Sequence, residues 1–241
     1  MSKINSLAVI ILMAAVCCTH QTTGPNTLSN QEIKEGWKLL FDGKSTQGWH
    51  IYNLGDTASC WQVADGTLWC NPHAKNALHG DLVTDSAYHD FELILEWKIA
   101  KGGNSGVLIN VQEQPQYGTS FATGPEYQLL DNANAEERHR TNPTHYAGAI
   151  YDVLGTIQQS HPQPFGQWNQ SRIQQQGGKL TFWLNGTKTA EVQLGTPTWD
   201  SLVGKSNLHN FSDFGKAKNG KIALQDHTDE VFFRNIKIKE L

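Results

Sequence analysis

Phe91-Glu92-Leu93-Ile94-Leu95-Glu96-Trp97-Lys98-Ile99 decides the fold class. Successive side chains of an extended chain point to opposite faces. Phe91, Leu93, Leu95, Trp97 and Ile99 therefore share one face, and Glu92, Ile94, Glu96 and Lys98 share the other. One apolar face beside one mixed face describes a strand that covers a core on one side, as antiparallel sheets do.

Working outward, the same alternation recurs in short runs bounded by turn residues. Residues 107–111 follow a Lys101-Gly102-Gly103-Asn104 turn, and 126–130 places Tyr127 and Leu129 inward. Residues 172–176 and 179–184 bracket Gly177-Gly178, Asn185-Gly186 precedes 188–194, and 221–225 and 231–238 close the chain. Upstream, Trp61-Gln62-Val63-Ala64-Asp65-Gly66-Thr67-Leu68-Trp69 reads as strand, Asp-Gly turn and strand. No amphipathic helix of convincing length and no internal repeat interrupts this pattern. Many short strands, with longer loops at 112–125 and 131–147, predict an all-β, two-sheet antiparallel jelly-roll sandwich.

The chain has 241 residues, 38% hydrophobic and 17% charged, with 22 glycines. That is one turn-rich globular domain plus a targeting segment, far from the composition of disordered chains. Eight tryptophans and ten histidines stand beside two methionines. Most of the tryptophans belong to a sandwich core, but indoles also stack on the apolar faces of sugars. A net charge of −4 with no basic cluster excludes nucleic acid as the partner.

At the N-terminus, Lys3 precedes an apolar run at 7–16 that is too short to span a bilayer. It ends at Ala14-Ala15-Val16-Cys17-Cys18, which resembles a lipoprotein processing site, with Cys17 or Cys18 as the lipidated residue. The expected organisation is a signal peptide at 1–17, a flexible tether at 18–35 and the sandwich domain at 36–241. Plain secretion is the alternative to a lipid anchor. The expected location is the periplasm or outer membrane of a bacterium. Cys60 and Cys70 flank the Asp65-Gly66 hairpin, with Trp61 opposite Cys70, so Cys60 is one residue out of register. A bulge or shifted turn would let them bridge, and the bridge stays open at this level.

Polar residues in mid-strand lie on the outer faces of a sandwich, one of which is commonly concave. Glu126 and Gln128 share a face, as do Gln225 and His227. Asn104 and Asn110 fall on a common parity if their strand is regular, and Glu96 is the matching carboxylate on the preceding strand. Two carboxylates, an imidazole and several amides make a candidate carbohydrate site. Glu126 and Asp131 also suggest the carboxyl pair of a retaining glycosidase. Their spacing of five residues, however, sends them to opposite faces unless a bulge intervenes.

These residues lie in an ordered series that runs nearly the length of the domain. It includes Leu39-Leu40-Phe41-Asp42-Gly43, Gly48-Trp49, Asp90-Phe91-Glu92-Leu93 and Gly103-Asn104-Ser105-Gly106-Val107. It continues through Gly124-Pro125-Glu126-Tyr127-Gln128-Leu129-Leu130-Asp131-Asn132, Ala149-Ile150-Tyr151-Asp152, Trp168-Asn169, Leu184-Asn185-Gly186 and Ile222-Ala223-Leu224-Gln225-Asp226-His227. From 36 to 241 the chain resembles the 3-keto-disaccharide hydrolase domain family, which has the concanavalin A-like lectin/glucanase fold and is common among bacterial lipoproteins. Asn110 and Thr228 depart from it, since many members carry arginine and glycine there.

The resemblance implies cleavage of glycosides whose C3 hydroxyl has been oxidised to a ketone. The ketone acidifies the C2 proton, a base removes it, the enolate expels the C1 substituent, and water completes a net hydrolysis. Such a site needs a placed base and a group to hold the enolate oxygen. His227 or Glu126 is the expected base, with Asp131 orienting its partner or helping to bind a divalent metal ion, whose candidate ligands are Glu126, Asp131 and His227. Gln128, Gln225, Asn104, Asn110 and Glu96 are expected to meet sugar hydroxyls. Trp168 is expected to offer a stacking face, as is Trp97 if it does not pack in the core, and Tyr151 and Asp152 belong to the rim. A separate oxidoreductase would supply the keto sugar. The alternatives are a conventional retaining glycoside hydrolase, a non-catalytic carbohydrate-binding module and a structural surface lipoprotein.

Overall fold

A computed structural model describes residues 24–55, 58–157 and 160–241. The expected signal peptide and Cys17 and Cys18 lie outside the described residues. The strands are β1 (Lys38–Leu39), β2 (Trp49–Ile51), β3 (Trp61–Ala64), β4 (Thr67–Cys70), β5 (Leu82–Thr84), β6 (Phe91–Ile99) and β7 (Asn104–Val111). They continue with β8 (Glu126–Leu130), β9 (Asn169–Gln176), β10 (Lys179–Leu184), β11 (Thr187–Gln193), β12 (Lys221–Leu224) and β13 (Val231–Glu240). Among the described residues helices are confined to short pieces, α1 (Asn30–Lys34), α2 (Glu137–Arg140) and α3 (Pro197–Val203), plus single 3₁₀ turns.

Two antiparallel sheets result, as the alternation predicts. The larger runs β11-β10-β9-β6-β13-β4-β3 with β1 added to β13, and the smaller runs β2-β5-β12-β7-β8. Asp65 and Gly66, at φ 50 and 71, and Asn185 and Gly186, at φ 49 and 81, take the left-handed conformations that tight hairpins need. The inward face of β6 is fully buried and packs with Val107, Ile109, Tyr127 and Leu129 from the other sheet. Trp97 belongs to this core, its indole N–H donating to Ser171 Oγ at 2.9 Å.

The chain changes sheets between β6 and β7, and this step corrects one expectation. The turn folds back tightly, with Gly103 N–H donating to Ala100 O at 3.0 Å, and a Cβ on Gly103 would meet Ile99 Cγ1 at 2.7 Å. β6 and β7 therefore do not lie side by side, and Glu96 sits on the outer face of the larger sheet. There it accepts from Arg234 Nε at 2.7 Å and Asn235 Nδ2 at 2.9 Å. Trp168 belongs to the same outer surface, sandwiched by Arg234 at 4.0 Å and Lys98 at 5.1 Å from its ring.

The tether expected at 18–35 is docked over its second half. Ser29 and Glu32 form a capping box on α1, and Glu32 pairs with Lys237 on β13. Asn26 and Asn235 exchange two bonds, at 2.6 and 2.8 Å. These contacts tie the segment to β13, inside the larger sheet.

Candidate functional site

Loops bury the outer face of the smaller sheet. Residues 112–125, 131–157 and 207–215 close over β7, β8 and the end of β12, so every residue of β8 is buried on both faces. Segment 148–151 pairs with β8: Gln128 N–H donates to Ala149 O at 3.1 Å and Tyr151 N–H to Glu126 O at 3.0 Å. Under this cover lies a cavity of about 250 Å³. Asn104, Glu126, Gln128, Gln225 and His227 supply its polar wall, and Phe121, Tyr151, Leu208 and Phe214 its apolar wall.

The parity argument thus brings Glu126, Gln128, Gln225, His227 and Asn104 together. Among the described residues Glu126 is the one carboxylate that lines the cavity. It is 5% exposed, and its bond is a long one from Gln225 Nε2 at 3.5 Å. Burial, aided by the nearby Asp81 charge, lifts its carboxyl well above the ordinary carboxylate range, and the Gln225 bond only partly opposes this. Room for the carboxylate comes from Gly106 in the middle of β7, where a Cβ would stand 2.1 Å from Glu126 Oε1. A glycine inside a strand marks such close approaches, and this signal was legible in the Gly103-to-Val107 run.

Around that carboxylate the amides are unmatched. Both amide atoms of Gln128, Asn104 Oδ1 and Gln225 Oε1 are buried without a hydrogen-bond partner. Buried polar groups are satisfied in nearly all folded proteins, so four such atoms around one hollow describe a surface waiting for hydroxyl and carbonyl groups. His227 stands at the edge with its side chain 42% exposed. Its Nε2 is 3.5 Å from Asn104 Nδ2 and its Nδ1 is 3.7 Å from Asp229 Oδ2. Asp229 is itself fixed by Asn104 N–H at 3.0 Å.

Other expected residues are placed elsewhere. Asp131 holds the neighbouring turn, accepting from Gly102 N–H at 2.9 Å and Asn134 Nδ2 at 2.8 Å. It does not line the cavity, so Glu126, Asp131 and His227 do not form a ligand set for a divalent ion. Asn110 takes φ 57 at a bulge between β12 and β7. The strand is not regular there, and the side chain turns inward to donate to Gln175 Oε1 at 2.7 Å. Tyr151 reaches the cavity, whereas Asp152 stands behind it. There Asp152 accepts from Asn207 N–H at 2.7 Å and meets His145 Nε2 at 3.3 Å.

Behind Tyr151 is a group that sequence reading missed. His145 stacks on Tyr151 at 4.6 Å, and its Nδ1 lies 3.1 Å from His139 Nδ1. Burial, together with the Arg138 and His145 charges, holds His139 down to about 4. Burial also raises Tyr151, helped by the Glu126 and Asp152 charges. Phe121, Leu208 and Phe214 were equally hidden, because they come from loops with no period to read.

Beside the cavity, Cys60 and Cys70 keep the offset register, with Trp61 paired to Cys70. Both are free thiols with sulfurs 3.8 Å apart. Both face Asp226, and among the described residues these three form a cluster close enough to bind a metal ion.

Residues 36–239 match the model of the 3-keto-alpha-glucoside-1,2-lyase-like domain. A 3-keto-disaccharide hydrolase of Bacteroides thetaiotaomicron is 32% identical over 232 residues, spanning 86% of this chain and 79% of the relative. A crystal structure from Parabacteroides distasonis with a glycosyl hydrolase designation superposes with a TM-score of 0.81 at 36% identity. It covers 90% of this chain and 100% of that one. A second structure from the same organism, with the same designation, gives a TM-score of 0.63 at 27% identity over 85% and 99% of the two chains.

Proposed function

The chain belongs to the 3-keto-alpha-glucoside-1,2-lyase-like domain family, and from that premise we propose that it cleaves 3-keto-glycosides by elimination across C1 and C2 followed by hydration. The single observation that carries this reading is Glu126: a buried carboxylate, weakly bonded, ringed by four amide atoms without partners. A carboxylate whose affinity for protons is raised by burial is a better base for a carbon acid than an exposed one. Glu126 takes the proton from C2, next to the ketone. The amide N–H of Gln128 and that of Gln225 meet the oxygen on which the enolate charge develops. Asn104 and the remaining amide oxygens hold hydroxyls, and Tyr151, Phe121 and Phe214 close the hollow against water.

A conventional retaining glycosidase needs two carboxyl groups about 5–5.5 Å apart. Among the described residues the cavity wall offers Glu126 alone, so the geometry favours elimination. A module that only binds sugar has no use for a carboxylate held in this state.

The same reading places the protein outside the cytoplasm on a lipid anchor, supported by the apolar run and cysteines at 7–18. A separate oxidoreductase would act first, because the chain carries no nucleotide-binding motif with which to make the ketone. The test is release of alcohol from a 3-keto-glucoside and from its unoxidised parent, run in deuterated water. Turnover of the keto compound alone, with deuterium entering C2, is expected. Turnover of the parent overturns the reading in favour of an ordinary glycosidase, and sugar binding without turnover of either favours a lectin.

A further inference from the structure

The cavity does not end at His227. On the far side of the imidazole a second hollow of about 420 Å³ opens, sharing Phe121, Gln225 and His227 with the first and continuing past Tyr52, Leu54 and Thr119. The two differ in character. The first encloses the buried carboxylate and its unmatched amides. The second has Tyr52, Phe121 and the 51% exposed Leu54 as apolar walls, beside His79, Asp81 and Asp226. Its two carboxylates are already engaged. Asp81 accepts from Ser120 Oγ and from Asp226 N–H, and Asp226 accepts from His79, Gly80 N–H and Thr228 N–H. Among the described residues the groove thus offers apolar faces, two carboxylates and no Lys or Arg, its His79 being paired with Asp226, which suits a neutral ring and disfavours an anion.

A glycoside bridging both hollows has its scissile oxygen at their junction, where His227 stands. Glu126 lies wholly on the keto-sugar side. His227 lines both hollows, with Asp229 3.7 Å from Nδ1 and Asn104 3.5 Å from Nε2, which sets the ring at that junction. Resting on the 3-keto-glycoside reading, we propose that this groove receives the leaving alcohol, a neutral ring-bearing aglycone, and that His227 delivers the proton to the departing oxygen while Glu126 takes the C2 proton.

The steps balance. The C2–H pair moves into a C2–C3 double bond and the ketone oxygen takes the charge. When the carbonyl re-forms, C1=C2 forms, the C1–O bond breaks, and the leaving oxygen takes the Nε2 proton of the imidazolium. Water then adds across C1=C2. Its oxygen bonds to C1, its proton returns to His227, and Glu126, whose acid proton exchanges with solvent once the alcohol has left, protonates C2. One glycoside and one water give one 3-keto sugar and one alcohol.

The experiment compares wild type, His227→Ala and Leu54→Asp on 3-keto glucosides of 4-nitrophenol and methanol and on a 3-keto disaccharide, each in both anomers. Loss of a general acid costs about 10²–10⁴-fold where the leaving group needs a proton. His227→Ala is expected to lose that much kcat on the methyl glucoside and disaccharide. On the nitrophenyl compound, whose anion departs unaided, it should lose less than about tenfold, and exchange at C2 should persist. Leu54→Asp should raise KM for the disaccharide about tenfold more than for the methyl compound. Equal loss across leaving groups, or loss of C2 exchange in His227→Ala, makes His227 the base and overturns the assignment. An unshifted KM ratio in Leu54→Asp overturns the groove. Both comparisons start from a wild type that turns over the keto substrates. Wild type inactive on all of them overturns the 3-keto reading and this inference together.

Discussion

Glu126, on β8, and Asp226, in the loop just past β12, are both carboxylates with buried side chains, and both lie beside Gln225 and His227. Asp226 has a side chain 1% exposed and accepts from Gly80 N–H at 3.0 Å, Thr228 N–H at 2.9 Å, His79 Nδ1 at 2.8 Å and the Cys60 thiol at 3.2 Å. Burial works to raise its carboxyl, but the bonds from Thr228, Cys60, His79 and Gly80 outweigh it and hold the group below the ordinary value. Glu126 has one weak donor, and burial prevails. What separates the two is the count of donors aimed at the charge. A satisfied carboxylate fixes a loop, and an unsatisfied one is reactive.

The difference has opposite consequences with pH. Glu126 has a folded-state pKa above its unfolded value of 4.5. Its contribution to stability is therefore complete below 4.5 and lost as pH rises through the raised value. Asp226, lowered from 3.8, contributes fully above 3.8, and that contribution is lost as pH falls through its folded value.

The strongest way to break the comparison is Glu126→Gln. Removing the base should reduce kcat on a 3-keto-glucoside about 10²–10⁴-fold. Urea unfolding should show stability equal to or above wild type at neutral pH, because no charge is left to bury. A variant that is both inactive and destabilised would make Glu126 a structural residue. In wild type, the acid limb of kcat/KM should lie above the usual carboxylate range and vanish in this variant.

Gly106→Ala sharpens the point without touching the carboxylate's chemistry. Its Cβ would fall 2.1 Å from Glu126 Oε1, displacing the base by a fraction of its own width. A misplacement of about 1 Å costs about 10²-fold, read as lost kcat with native circular dichroism retained.

Asp226→Asn tests the other side. The amide nitrogen would face N–H donors that the carboxylate accepts from, so a loss of about 2–4 kcal/mol in urea unfolding is expected. An unchanged midpoint would show that the donors around Asp226 do not hold the loop. The smallest effect belongs to Thr228, a β-branched residue at φ 64. Left-handed backbone costs about 1–2 kcal/mol for such residues, so Thr228→Gly should raise stability by about 1 kcal/mol while leaving Asp226 in place.

Much of this protein was determined by its sequence alone. The period of two in 91–99 and the Asp65-Gly66 and Asn185-Gly186 turns fixed the sandwich and the bounds of β6, β8 and β10, because face alternation and left-handed turn residues are local properties. The same parity grouped Glu126 with Gln128 and Gln225 with His227. Only the tertiary structure decided which faces meet. The sheet change after Ile99 sent Glu96 to the opposite side of the molecule, and the left-handed backbone at Asn110 turned its side chain inward. Loops from three distant segments supplied Phe121, Tyr151, Leu208 and Phe214. Burial, and with it the proton affinity of Glu126, depends on those loops closing over β8, and no spacing within one strand encodes that closure.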